Sequence, residues 1–308
     1  MGRHRKSRDH AVDNVRGSSM ELIILQSLML NYRHANHTGN HADVLKHTTL
    51  VLVLEYMVLK GESFLYVDIH AGAGLYDLRG EWTNRKCEYE TGIGRIPRDL
   101  VSAPAAMHTY LRIVQELNPG GELSEYPGSP WIARSILRAQ DRALLFELHP
   151  DEYQHLCELF ASDGKIKTEQ CDGFQALNDL LPPAERRAVI LLDPPYEVKT
   201  DYRNVIESVT AAHKKFPSGV YLAWYPVLNR AQSGKLENDF INSGMRNILL
   251  AELSIGSQAG NIGMTASGMI IINPPRQLSD SLQTILPFLC DALAGDDGGF
   301  RLQQLVAA

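Results

Sequence analysis

Four short apolar runs, separated by long polar and helical stretches, constrain this chain more than any other feature. They are "SFLYVDIH" (63–70), "ALLFELH" (143–149), "AVILLD" (188–193) and "GVYLAWYPV" (219–227). Each reads as a buried strand. Between them lie helix-like stretches such as "YQHLCELFA" and "NVIESVTAAHKKF". Strand–helix alternation predicts an α/β fold, a parallel sheet with helices on its faces. Near the end, "NILLAELSI" (247–255) and "GMIIINPP" (268–275) are separated only by a loop rich in Gly, Ser and Asn. No helix fits between them, so an antiparallel hairpin is expected. From about residue 80 to 125 the strand signal lapses. "SAPAAMHTYLRIVQELNPGGEL" is helical in period and stops at Pro-Gly-Gly, which predicts a small helical insert.

The charge balance narrows the partners. Acids outnumber bases, 36 to 30, for a net charge of -6. That argues against a broadly basic nucleic-acid coat and leaves room for a local basic patch. The four cysteines, Cys87, Cys157, Cys171 and Cys290, form no C-x-x-C pair. They read as thiols of a reducing cytoplasm rather than as a disulfide framework or zinc site. No apolar run reaches the roughly 18 to 20 residues of a membrane helix. Residues 1–28 are a polar, basic stretch followed by "MELIILQSLML". Glu21 and Gln26 interrupt the apolar part, so this segment is read as an N-terminal extension rather than a secretory signal. Met20 and Met29 are both candidate starts, and residues 29–308 are expected to form the functional domain.

A parallel sheet closed by an antiparallel hairpin is similar to one arrangement of Rossmann-like, class I S-adenosylmethionine-dependent methyltransferases. The residues at the strand ends fit that cofactor. "DIHAGAGLYD" (68–77) follows the first strand. Gly72 and Gly74 allow a tight turn against a ligand. A dinucleotide fingerprint wants a small residue three places on; position 77 is Asp, which disfavours NAD. Glu147, at the end of "ALLFELH", is placed to accept ribose hydroxyls. Asp172 in "CDGF" is placed to accept from an adenine amino group, with Gly173 allowing close backbone approach. Either acid alone reads as a helix cap. Two acids after successive strands read as a nucleoside pocket.

The chemical end is "AVILLDPPYEVKT" (188–200). A strand delivers Asp193 to the open edge of the sheet. Pro194 and Pro195 lack N–H groups and make a stiff turn whose carbonyls can face a substrate. Tyr196 offers a ring for stacking. The group that suits this set is a planar exocyclic amine, a poor nucleophile because its lone pair is delocalised. Asp193 and a carbonyl of the proline turn, assigned to Pro194, can accept its two hydrogens and turn the lone pair outward. Tyr196 would hold the base. A second Pro-Pro turn, Asn273-Pro274-Pro275, has Arg276 in place of the aromatic. It reads as a turn after the last strand.

"NYRHANHTGNHADVLKH" (31–47) carries His34, His37, His41 and His47. A zinc reading lacks cysteine support and ligand spacing. Tyr32, Arg33, His34 and Lys46 combine cations with a stacking ring, a mixture suited to single-stranded RNA. His47 is expected to project from an early helix near the cofactor pocket.

Taken together, "YRHANHTGNHADVLKH", "DIHAGAGLY", "YPGSPWIAR", "FELHP", "DGFQAL", "LLDPPYEVKTDY", "WYPV" and "GMTASGMIIINPP" resemble the bacterial 23S ribosomal RNA adenine-N6 methyltransferases of the RlmJ type. The resemblance runs from about Met29 to the end. It implies S-adenosylmethionine contacts from His47, His70, Ser129, Glu147, Asp172 and Gly173, a catalytic Asp193, and Tyr32 at the RNA. No metal, membrane or obligate protein partner is expected. Methylation of DNA adenine or of a protein glutamine amide, and a catalytically silent RNA-binding protein, stay open as alternatives at this level.

Overall fold

The computed structural model describes residues 34–80, 87–97, 99–198, 200–256 and 264–308. Eight strands form one sheet in the order β10-β8-β9-β7-β6-β1-β4-β5. Its parallel half comprises β1 (Leu65–Asp68), β4 (Arg142–Phe146), β5 (Ile166–Glu169), β6 (Ala188–Leu192) and β7 (Val220–Pro226). β1 lies between β4 and β6, parallel to both. β8 (Ile248–Ser254) and β9 (Ala266–Ile272) form the expected antiparallel hairpin, with β9 inserted between β7 and β8. The fold is α/β, a Rossmann-like sheet with antiparallel strands along one edge.

One strand corrects the sequence reading. β10 (Gly299–Val306) pairs antiparallel with β8 at the sheet edge, so β9 is not the last strand. Its alternation is interrupted by a register shift between Gln304 and Val306, which hides the period-2 signal. The added edge is tied to a buried Glu252 on β8 by Arg301 of β10, whose Nη1 lies 3.5 Å from Glu252 Oε2. Glu252 accepts from Tyr225 Oη at 3.0 Å and from Arg230 Nη1 at 2.7 Å. Gly268 makes room for Tyr225; a Cβ there would come within 2.4 Å of the phenol ring.

Helix α1 (His41–Leu59) precedes the sheet. Asn40 caps it by accepting from the backbone N–H groups of Ala42 and Asp43 at 2.9 and 3.1 Å. Fourteen of its nineteen residues are buried, on every side of the helix. Polar side chains on it must therefore find partners inside the protein. α2 (His108–Leu117) supplies the helix expected before Pro-Gly-Gly. The segment around it is bracketed by a small two-stranded sheet, β2 (Leu75–Asp77) with β3 (Glu125–Pro127). The other helices of eight or more residues are α3 (Ser129–Ile136), α4 (Pro150–Phe160), α5 (Gly173–Leu180), α6 (Asp201–Lys215), α7 (Arg230–Ile241) and α8 (Leu278–Ala294). Among the described residues, no helix is long and apolar enough to cross a membrane.

The strand order reverses at β1, where successive crossovers leave to opposite sides. Open α/β sheets bind ligands at that point, outside the carboxyl ends of the strands. Asp68 is level with Leu145 on β4 and Leu191 on β6. Glu147 and Asp193 each follow two residues later, so all three carboxylates emerge together at this edge.

Candidate active site

Beyond β1 the chain turns back under a cleft. Gly72 and Gly74 both adopt left-handed backbone, with φ of 61° and 80°, a region open to glycine at little cost. The turn presents the Gly72 N–H to Glu147 Oε2 at 2.7 Å, and the His149 N–H meets Oε1 at 2.7 Å. Glu147 is thus held by two backbone donors, one from the glycine turn and one from its own loop. Burial outweighs these bonds and raises its pKa to about 7. Asp68 lies behind it, fully buried. It accepts from Ser129 Oγ at 2.6 Å, Tyr66 Oη at 2.7 Å and the His70 N–H at 3.2 Å. Burial raises its pKa to about 6. The His70 ring lies edge-on to Phe174 at 4.7 Å and accepts the Asp193 N–H at 3.3 Å. Burial lowers its pKa to about 3, so the ring is neutral.

On the far side, Lys46 reaches from α1 to Asp193 Oδ2 and, at 2.8 Å, to Asp43 Oδ1. Burial by itself would lower the lysine pKa; the two carboxylates outweigh it and raise it above the usual range. Asp43 also accepts from the Gly39 N–H at 2.8 Å and pairs with His34 Nε2 at 3.0 Å. Burial would raise the Asp43 pKa, but His34 and Lys46 drive it well below the carboxylate range. The cleft lining carries four carboxylates, Glu147, Glu152, Asp172 and Asp193, against the single Lys46. The cleft is thus rich in hydrogen-bond acceptors, beside a clamped aspartate.

Comparison with known proteins gives the family. The family described as "Ribosomal RNA large subunit methyltransferase D, RlmJ" matches residues 61–306. The chain belongs to the RlmJ family of ribosomal RNA methyltransferases. It is 47% identical over 261 residues to ribosomal RNA large subunit methyltransferase J of Escherichia coli K12, covering 85% of this chain and 93% of that one. It is 45% identical over 273 residues to the protein of the same name from Haemophilus influenzae Rd, covering 88% and 96%. A crystal structure of a Legionella pneumophila protein superposes with a TM-score of 0.82 at 35% identity, covering 87% of this chain and 98% of that one.

Against this family background, the structure brings together His34, Lys46, His47, His70, Gly72, Ser129, Glu147, Asp172, Gly173 and Asp193 around one cleft. Several stand there for reasons other than those read from sequence. Gly173 is needed for packing: a Cβ there would lie 2.0 Å from the Ile69 carbonyl oxygen. Asp172 caps α5 by accepting the Phe174 N–H at 2.9 Å, the helix-cap reading, while still lining the cleft. Gly74 lies outside the lining and packs beneath α4, with Leu156, Leu159 and Phe160 within 3.3 Å of a built Cβ. His47 pairs through Nδ1 with Tyr126 Oη at 2.9 Å, and Tyr126 with Tyr110 at the same distance. Burial lowers the His47 pKa to about 3.

Two placements correct the sequence reading. Lys46 is 3% exposed, locked between two carboxylates, and is not part of an exposed patch for phosphates. Tyr196 is 5% exposed. Its hydroxyl donates to the Trp224 carbonyl at 2.6 Å and its ring packs on Tyr202 at 4.5 Å. The ring therefore does not present a face for stacking. Its φ of 54° marks a strained turn, held by those contacts. Pro194 is buried and Pro195 lines the cleft. Tyr32 and Arg33 lie outside the described residues.

Asp43, Asp68, Tyr76 and Glu152 were not singled out from the sequence. Asp68 was legible, as the acid that ends the first strand. Asp43 and Glu152 carry no local signal, since an acid in the first turn of a helix is ordinary. Among the described residues no group of three or more His, Cys, Asp or Glu is arranged to hold a metal ion. The four cysteines are free thiols.

Proposed function

We propose that this protein transfers a methyl group from S-adenosylmethionine to the exocyclic N6 amine of an adenine in 23S ribosomal RNA. The observation that carries this reading is the clamp of Lys46 on Asp193, at the head of Asp-Pro-Pro-Tyr, in the same cleft as Glu147 and Asp172. The names of the two relatives support the RNA class.

The lining fits the cofactor. Its sulfonium and ammonium suit a cleft rich in carboxylates. Glu147 would hold the ribose, Asp172 the adenine amino group, and Ile69 and Leu148 the faces of the base. Gly72, Gly173, Ser129, His47 and His70 would shape the remaining wall. When bound, S-adenosylmethionine supplies an electrophilic methyl group. The chain's own task is to present the amine. Asp193 and the Pro194 carbonyl accept its two hydrogens, drawing the lone pair out of conjugation. Lys46 holds the Asp193 carboxylate in one orientation and offsets its charge. Such fixed acceptors act through positioning and electrostatics. Tyr196 contributes by holding the turn. Tyr32 and Arg33 stand immediately before His34, a cleft residue, and are assigned with it to the RNA. Residues 29–308 would form the methyltransferase domain with its insert at about 80–125, residues 1–28 an extension, and the cytoplasm the place of action.

The test is methyl transfer from labelled cofactor to unmodified 23S ribosomal RNA, DNA and protein, followed by nucleoside analysis. Label recovered as N6-methyladenosine from RNA is expected. Label in DNA or glutamine alone, or no transfer with cofactor bound, would overturn the reading.

A further inference from the structure

Among the described residues, Glu152 is the one cleft carboxylate with a buried oxygen, Oε2, that has no hydrogen-bond partner. Asp193 is bonded to Lys46, Glu147 to two backbone N–H groups, and Asp172 to the N–H of Phe174. Glu152 stands in the first turn of α4, lines the cleft and is 8% exposed. Its Oε2 is enclosed and without a hydrogen-bond partner. A buried carboxylate without donors carries a desolvation cost that the helix N-terminus offsets only in part. Its surroundings are fixed. Its charge bears on Glu147 and on the Tyr76 phenol. Tyr76 Oη in turn accepts the Ala73 N–H at 3.2 Å and stands where a side chain on Gly72 would be. Glu152 thus lies beside the glycine turn, next to the acid assigned to the ribose.

We propose that Glu152 is a second cofactor-binding carboxylate, accepting a hydrogen bond from a donor of the bound S-adenosylmethionine, from the ribose diol or the amino-acid ammonium. The assignment rests on the cofactor reading above. Glu147 is already committed to two backbone donors, so its remaining lone pairs are limited. Glu152 brings a further, unpartnered carboxylate to the same cleft. Among the described residues its Oε2 makes no hydrogen bond that a substitution would break, which separates a ligand role from a structural one.

The experiment is calorimetric titration of the full chain with S-adenosylhomocysteine, and separately with 5′-methylthioadenosine, which keeps the ribose and lacks the amino acid. Parent, Glu152→Ala and Glu152→Gln are compared, with melting curves of each without ligand. Glu152→Ala should bind S-adenosylhomocysteine about 10- to 100-fold more weakly. Glu152→Gln, which keeps a carbonyl acceptor, should recover part of the loss. Ligand-free melting should stay near that of the parent. Weakened binding of both ligands places the contact at the ribose; weakened binding of S-adenosylhomocysteine alone places it at the ammonium. Unchanged affinity, or a loss matched by ligand-free destabilisation, overturns the assignment. If the parent itself binds neither ligand, the cofactor reading fails and the assignment of Glu152 falls with it.

Discussion

Lys46 donates to Asp193 across 147 residues of chain, and the two side chains are 4% and 13% exposed. The same ammonium bonds Asp43 at 2.8 Å. The site is therefore built around a buried cation shared by two carboxylates, one from the first helix and one from the end of β6.

Lys46→Met should be costly. It leaves two carboxylates without their cation, and breaking a buried pair from one side typically costs about 3–5 kcal/mol. Adding Asp43→Asn should recover part of that loss, because one uncompensated charge goes with it. Urea unfolding of the single and double variants checks this. A double variant no more stable than Lys46→Met would show that the charges are not coupled.

The two Pro-Pro turns should separate cleanly. Asp193→Ala should lower turnover by on the order of 100- to 1,000-fold while retaining the cofactor. Asn273 Nδ2 instead donates to the Pro217 and Gly219 carbonyls, each at 2.8 Å, from left-handed backbone with φ of 55°. Asn273→Ala should cost about 1–3 kcal/mol of stability and leave turnover per folded molecule nearly unchanged. Single-turnover assays beside melting curves decide it.

Gly173→Ala should shift the start of α5, since the new Cβ would sit 2.0 Å from the Ile69 carbonyl oxygen. Overpacking of this kind typically costs about 1–3 kcal/mol. Because Asp172 caps the same helix, cofactor affinity should fall together with melting temperature. A variant as stable as the parent that binds cofactor less well would reassign Gly173 from packing to ligand contact.

Glu147 sets a pH dependence of known sign. Burial raises its folded-state pKa to about 7, above the ordinary glutamate value of about 4.3. The folded state therefore holds more protons than the unfolded state between these values. The group's contribution is fully present below about pH 4.3 and is lost as pH rises through about 7. Glu147→Gln removes it, so the variant without ligand should lose less stability between pH 5 and 8 than the parent does. Chemical unfolding at the two pH values measures the difference. Equal losses would mean that Glu147 is ionised throughout.

The sequence by itself determined the main strands, the final hairpin of β8 and β9, and the strand-end acids Glu147, Asp172 and Asp193, but not the edge strand β10. Apolar runs such as Ala188–Leu192 admit little but a buried strand, and a strand that ends in Asp193-Pro194-Pro195 places its acid at the edge. Glu147 and Asp172 were legible for the same reason, because both follow strands. Tertiary structure alone decided what the remaining polar groups do. Lys46 looks like any helix-surface lysine until α1 is seen to be buried on all sides. Gly173 lines the cleft as expected, and only the packing shows that Ile69 also forbids a side chain there. Tyr196 looks like a stacking platform until its hydroxyl is found on Trp224. Glu152 looks like a solvated first-turn acid until it is found lining the cleft with its Oε2 unpartnered among the described residues. Local patterns report how a segment buries its apolar side chains. The partner of a polar group comes from a distant part of the chain, and only packing brings the two together.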